Sequence, residues 1–356
     1  MQSTRHSLPS FIIVQLLALA LAACGGGGSG GSEGTSTTNQ SASSVATSNA
    51  ASSSSRTGSN SSASSSKSST GSTTSSSAGS VSGVSYTVSP QVSNCVAGQV
   101  STADKNAVLA RINEIRSRHG LPAVTYDSSD DAAAAAAALY MVANGELTHT
   151  PDSSGSCYTS EAARLAGKSN LYMAGGSNTR NMASADSVTA YLVDSNVSTL
   201  GHRRWVLYPF LASTSFGRVD SDDGKSMASA LRTIGGAASS VSMTNDFVAY
   251  PYGSYPSSDF STSWYLSFSA IASKTSAYAN GNSQVSFSGA TITVTNASGQ
   301  SLTVSDRIEN YEGYGLANSL QWKVAGLASG GSYTVTINGV TVNGASRNYS
   351  YGFQLQ

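Results

Sequence analysis

Charge is scarce in this chain. Lys, Arg, Asp and Glu together make up 11% of 356 residues, and the formal net charge is zero. No basic run and no charged helix face occurs, which excludes an extended nucleic-acid surface. Long apolar runs are missing as well. The best of them, Phe11 to Leu21, is broken by Gln15 and is too short for an ordinary membrane span. Cysteines number three and histidines four. No His-x-x-x-His occurs, so the helix-borne zinc motif is excluded. With so few histidines, each can be weighed singly. His6 lies in a removable leader, and His119 follows a helix just before Gly120. His149 and His202 remain as the pair that could meet.

Arg5 and His6 give a weakly positive start to the apolar run, and Leu21-Ala22-Ala23-Cys24 closes it. That ending resembles a bacterial lipobox. The resemblance implies removal of residues 1–23 and acylation of Cys24, which anchors a protein to a membrane without a spanning helix. An ordinary signal peptide is the plain alternative. Gly25 is not the aspartate that favours inner-membrane retention in Gram-negative cells, so outer-membrane placement is expected there. With Cys24 spent on lipid, Cys95 and Cys157 are left in an oxidising compartment. A disulfide between them is expected, closing a loop of roughly 60 residues and stabilising by a few kcal/mol. Two free buried thiols are the alternative.

Residues 24–90 are almost entirely Ser, Gly, Thr, Ala and Asn. Such a segment buries too little to offset its ordering entropy, and reads as a flexible tether spanning roughly 45 Å. Folded sequence is expected from about Val92. Val108, Leu109, Ile112 and Ile115 share one face of a helix over Ala103 to His119, ended by Gly120. Asp127 to Asn144 predicts a second helix. Its run Ala132 to Ala138 is small all round, so neighbours can approach closely. A loop with His149 follows. Short helices are expected over Thr159 to Ala166 and Ser184 to Ser195, with a loop between them holding Ser169-Asn170-Leu171. Gly201 to Pro209 reads as a loop entering a strand, because Trp205, Val206, Leu207 and Tyr208 are strand formers. Strands are also predicted over Ser213 to Val219 and Ser226 to Ile234. Residues 91–238 thus read as α+β, with helices covering a small antiparallel sheet. Residues 239–356 carry short alternating runs separated by Ser/Gly/Asn turns, which predicts an all-β, Ig-like sandwich.

The segment Arg111-Ile-Asn-Glu-Ile-Arg-Ser-Arg-His-Gly-Leu-Pro122, His149 after an alanine-rich helix, Ser169-Asn170-Leu171, Tyr191-Leu-Val-Asp194, Gly201-His202 and Phe216-Gly217 occur in an order that resembles a CAP domain. That is the SCP-like family of cysteine-rich secretory, antigen 5 and pathogenesis-related 1 proteins. The resemblance covers about residues 100 to 235 and implies an α-β-α sandwich. It also implies a cleft lined by two histidines, His149 and His202, with Asp194 beside them. Ser169 stands where the family usually has Glu, which weakens any transfer of acid/base chemistry.

Two neutral imidazoles and a carboxylate suit a divalent ion such as zinc, so His149 and His202 are candidate metal ligands. The competing reading has both rings donating to carbonyls and supporting the cleft. Ser169 near either histidine could be cast as nucleophile and base, against a plain loop hydrogen bond. Arg203 and Arg204 could meet an anion, but read better as one solvated side chain and one ion pair. Trp264 and Trp322 read as sandwich core rather than a sugar-binding face. The expected function is non-catalytic. A surface-anchored lipoprotein would bind a lipid-like or envelope ligand in a cleft lined by His149, His202, Asp194, Ser169 and Asn170. The alternatives are a divalent-metal-dependent hydrolase acting on envelope material, or an adhesion or scaffold role for the β region.

Overall fold

A computed structural model describes residues 83–356. The leader, Cys24 with its expected lipid, and the tether up to residue 82 lie outside the described residues. Among the described residues five α-helices occur: α1 Thr102–Arg118, α2 Asp131–Asn144, α3 Ser160–Ala166, α4 Asp186–Val193 and α5 Gly201–Val206. The first part of the chain also has strands β1 Tyr86–Val88, β2 Gln99–Val100, β3 Thr125–Tyr126, β4 Ser169–Gly175, β5 Ser213–Thr214, β6 Phe216–Asp220 and β7 Ser226–Arg232.

The long helices form where spacing and caps agree. Ser101 caps α1 by accepting from the Asp104 N–H, and Val108, Ile112 and Ile115 bury its inner face. Gly145, left-handed at φ 63, ends α2. Strands β4, β7 and β6 make an antiparallel sheet in that order. Helix α2 lies on one face of it, where Ala133, Ala134, Ala137 and Ala138 cluster with Val219, Ala228 and Ala230. The alanine run permits close approach: a Cβ added to Gly217 on β6 would overlap the backbone of Ala134 and Ala135. Helix α4 covers the opposite face, with Tyr191 Oη next to Ser229 Oγ at 3.2 Å. Helices on both faces of one sheet give the α-β-α layering.

Three expectations fail here. Tyr86–Val88, inside the segment 24–90 expected as tether, is strand β1 paired with β2. Gly201 to Pro209 is not a loop entering a strand: Gly201–Val206 is helix α5, and the third strand of the sheet is β4. Segment 169–175, expected as loop, is that strand. Tertiary contacts override β propensity in α5. Arg203 and Arg204 reach different groups of distant carbonyls, and a helical turn aims both inward.

The remainder is β-rich: β8 Phe247–Tyr250, β9 Gly253–Tyr255, β10 Leu266–Ala270, β11 Val285–Ser286, β12 Thr291–Asn296, β13 Val304–Asn310, β14 Ser319–Val324, β15 Ser332–Val342 and β16 Ala345–Leu355. One sheet runs β13-β14-β10-β8. The other runs β11-β15-β16-β9, with β12 also on β15. Alternate residues Tyr349, Tyr351, Phe353 and Leu355 of β16 face inward, and Phe268 meets Tyr349 at 5.0 Å between ring centres. Trp322 is fully buried, as the core reading expects.

The α+β part and the β sandwich share one hydrophobic cluster, from Val108 and Ile112 through Phe210 to Phe268 and Val335. Polar ties cross the same boundary. His119 Nδ1 donates to the Ala249 carbonyl at 2.8 Å, and its Nε2 meets Tyr255 Oη at 3.2 Å. The buried carboxylate of Asp259 takes Arg118 at 2.5 Å and also Arg111. Cys95 and Cys157 form a disulfide, tying the segment before β2 to the loop before α3.

Candidate functional site: a two-histidine cleft

His149 follows α2 in the loop that leads towards α3, and His202 is the second residue of α5. The fold brings their ring centres to 6.4 Å with an interplanar angle of 27°. Each ring is held by its Nδ1. His149 Nδ1 lies 2.8 Å from the carbonyl of Ala166, the last residue of α3. A carbonyl only accepts, so Nδ1 of His149 carries the proton. His202 Nδ1 lies 2.8 Å from Asp194 Oδ1, and Asp194 Oδ2 accepts from the Arg203 N–H at 3.2 Å. The same reasoning places the proton on His202 Nδ1. Neither Nε2 has a hydrogen-bond partner among the described residues. Lost hydration and then the nearby His202 push His149 below the ordinary histidine value, against the opposing Ala166 bond, so its ring stays neutral at pH 7.

Asp194 follows α4 in the left-handed region, at φ 52. Its side chain is 1% exposed. That geometry spends the carboxylate on orienting His202, as a carboxylate behind a ligating histidine does. Asn170 Nδ2 donates to the His202 carbonyl at 2.9 Å and steadies the start of α5. Tyr191 packs on His202 at 5.6 Å between ring centres. Ser169 behaves differently. Strand alternation puts it on the face of Leu171 and Met173, which pack towards α2, whereas Tyr172 meets Tyr191 on the other face. Ser169 Oγ is buried without a hydrogen-bond partner. The nucleophile–base contact that a serine mechanism needs is therefore not made.

A resident zinc ion takes at least three protein ligands. With Asp194 engaged behind His202, only the two imidazoles remain as ligands, and no group of three potential ligands occurs among the described residues. A tetrahedral ion about 2.05 Å from each nitrogen holds two imidazole centres roughly 5 Å apart. The 6.4 Å found here is wider. The residues do not fit a resident metal.

Arg203 and Arg204, expected as one solvated side chain and one ion pair, are both buried, and neither is ion-paired among the described residues. Arg203 donates to the carbonyls of Leu192, Val193 and Tyr265 at 2.8, 2.6 and 2.8 Å, and lies 3.9 Å over the Tyr250 ring. Arg204 donates to Asn310 Oδ1 and to the carbonyls of Glu312 and Leu316. No signal in the sequence marks these partners, because backbone carbonyls are everywhere.

Residues 109–233 match the family model described as the cysteine-rich secretory protein family, CAP. The match contains the two-faced sheet, both cleft histidines and Asp194. Residues 109–233 are a CAP domain. Two solved structures are similar to parts of the chain. One is an extracellular protein containing an SCP domain from Bacillus anthracis, with 19% identity, 38% of this chain and 42% of that chain covered, and a TM-score of 0.26. The other is a DUF4426 family protein from Pseudomonas aeruginosa, with 12% identity, 25% and 68% covered, and a TM-score of 0.18. The chain thus spans less than half of the Bacillus protein. No curated protein matches the chain.

Proposed function

We propose that the CAP domain binds, without turning over, a hydroxyl- or amide-bearing component of the cell envelope. The carrying observation is the pair of imidazoles 6.4 Å apart, each held through Nδ1, so that neither Nε2 has a hydrogen-bond partner among the described residues. Such acceptors take hydrogen bonds from a ligand that donates. Binding is favoured over hydrolysis because Asp194 is engaged behind His202 and Ser169 Oγ touches neither histidine. The protein is proposed to be exported and anchored by lipid on Cys24, with the tether holding the CAP domain away from the membrane. A Cys95–Cys157 disulfide suits that compartment.

The test uses the full chain and two probes: soluble peptidoglycan fragments, rich in hydroxyls and amides, and phosphatidylglycerol vesicles. Fragment binding by wild type, lost in the double variant His149→Ala plus His202→Ala with the fold intact, supports the proposal. Equal binding by both proteins would overturn it. Shortened fragments would install the hydrolase reading instead, and binding to vesicles alone would make the ligand a lipid.

A further inference from the structure

The segment that carries both Asp194 and His202 is strained. Between α4 and α5, Asp194, Asn196 and Leu200 all have positive φ, at 52, 67 and 51. None is glycine; Asp and Asn tolerate the left-handed region, but Leu200 has no such ease. Strain of this kind persists only where surrounding structure holds it. The CAP fold grips the segment from one side, through Asn170. The β sandwich supplies the hold on the other side.

Trp264, just ahead of β10, donates its Nε1–H to the Asp194 carbonyl at 3.0 Å. Gln321 on β14 donates its Nε2–H to the Ser198 carbonyl at 2.5 Å. Arg203, next to His202, ties the end of α4 to the Tyr265 carbonyl. Arg204 is held by the loop after β13, and Gly315 in that loop, left-handed at φ 58, leaves no room for a Cβ beside the Arg204 carbonyl. Every one of these four contacts falls on the Asp194–Arg204 segment or the residues flanking it. His149 is held differently, by Ala166 within the CAP domain.

We infer that the β sandwich is a positioning domain for the cleft, and that Trp264 and Gln321 are positioning residues that set the Asp194–His202 pair through the backbone beneath it. This rests on the reading that the pair presents His202 Nε2 to a ligand. The two histidines then have separate supports, one inside the CAP domain and one spanning both halves of the molecule. Trp264 touches no ligand on this account. It fixes the carbonyl of the residue whose carboxylate fixes the ring.

The test is long-range ¹H–¹⁵N correlation at neutral pH on full chain labelled with ¹⁵N-histidine, which holds four histidines in all. Trp264→Phe keeps the ring and removes the donor. Gln321→Met keeps the length and removes the second donor. In each variant His202 is expected to lose its single Nδ1–H signature and show a mixture of tautomers, while His149 keeps its own. A structural residue alone would lower the melting temperature and leave the His202 tautomer unchanged. That outcome in both variants overturns the inference. If Trp264→Phe fails to fold, Gln321→Met decides. If wild type itself lacks the Nδ1–H form of His202, the reading of the site fails rather than the role of the sandwich.

Discussion

Replacing His119 by asparagine should flatten the pH dependence of stability between pH 7 and pH 5. His119 is 2% exposed, and burial drives its pKa down to about 3. Arg118, Arg116 and Arg203 add to that direction, while the bond to the Ala249 carbonyl opposes it. The unfolded chain takes up this proton first, near pH 6.5, so the folded state binds fewer protons below that value. Stability from the neutral ring is complete above pH 6.5 and is lost as pH falls towards 3. At about 1.4 kcal/mol per unit, the loss at pH 5 is roughly 2 kcal/mol. The asparagine amide can still donate to Ala249 but leaves Tyr255 Oη without its partner. The variant should therefore be less stable at pH 7 by about 1–2 kcal/mol, and close that gap at pH 5. Urea unfolding of both full chains at the two pH values measures this. His149, also held below its ordinary value, is present in both proteins and cancels. Asp222 is held low by the Ser93 and Val92 N–H groups and Asp223 by Ser221 and the Lys225 N–H, so their contribution is lost only at more acid pH. A variant that loses as much stability as wild type between pH 7 and 5 would refute the buried, neutral His119.

Gly217→Ala forces a Cβ into the backbone of Ala134 and Ala135; urea unfolding should show a loss of about 3 kcal/mol or more, or no folded protein. Cys95→Ser with Cys157→Ser opens a bridge between residues 62 apart in sequence, and chain entropy puts the loss at up to about 4 kcal/mol by the same measurement. A cavity of about 20 Å³ lies between Arg203, Arg204, Ser267 and Ser269, and the buried Arg204 Nε has no partner. One water fits such a space, so a high-resolution crystal structure should show density for it within hydrogen-bond reach of Arg204 Nε.

Much of the CAP half is legible from the amino acids. Apolar spacing and end signals mark α1, and the alanine run marks how closely α2 approaches β6 and β7. The resemblance to the CAP family implies that His149 and His202 meet before any geometry is known, and cysteine elimination pairs Cys95 with Cys157. What stays hidden is held by backbone. Helix α5 has six residues, two of them the strand formers Trp205 and Val206, and exists because Arg203 and Arg204 find carbonyls in a particular place. Arg116 donates to the carbonyls of Val206 and Tyr208, some ninety residues on. Such partners have no side-chain identity, so no motif records them. For the same reason the union of the two halves through His119, Arg203 and Trp264 cannot be read in advance. The resemblance to the CAP family places Asp194 near His202, yet its duty as the partner of Nδ1 is visible only in the 2.8 Å contact between them.

The central claim is that His149 and His202 lie side by side with bare Nε2 atoms because carbonyl and carboxylate hold their Nδ1–H groups. The most direct measurement is the ring-nitrogen spectrum of wild-type full chain, labelled with ¹⁵N-histidine, at pH 7 without ligand, with His149→Ala and His202→Ala providing the assignments. The account predicts that each ring carries a proton on Nδ1 and leaves Nε2 free to accept. A proton on either Nε2, or an Nδ1 without one, would contradict it.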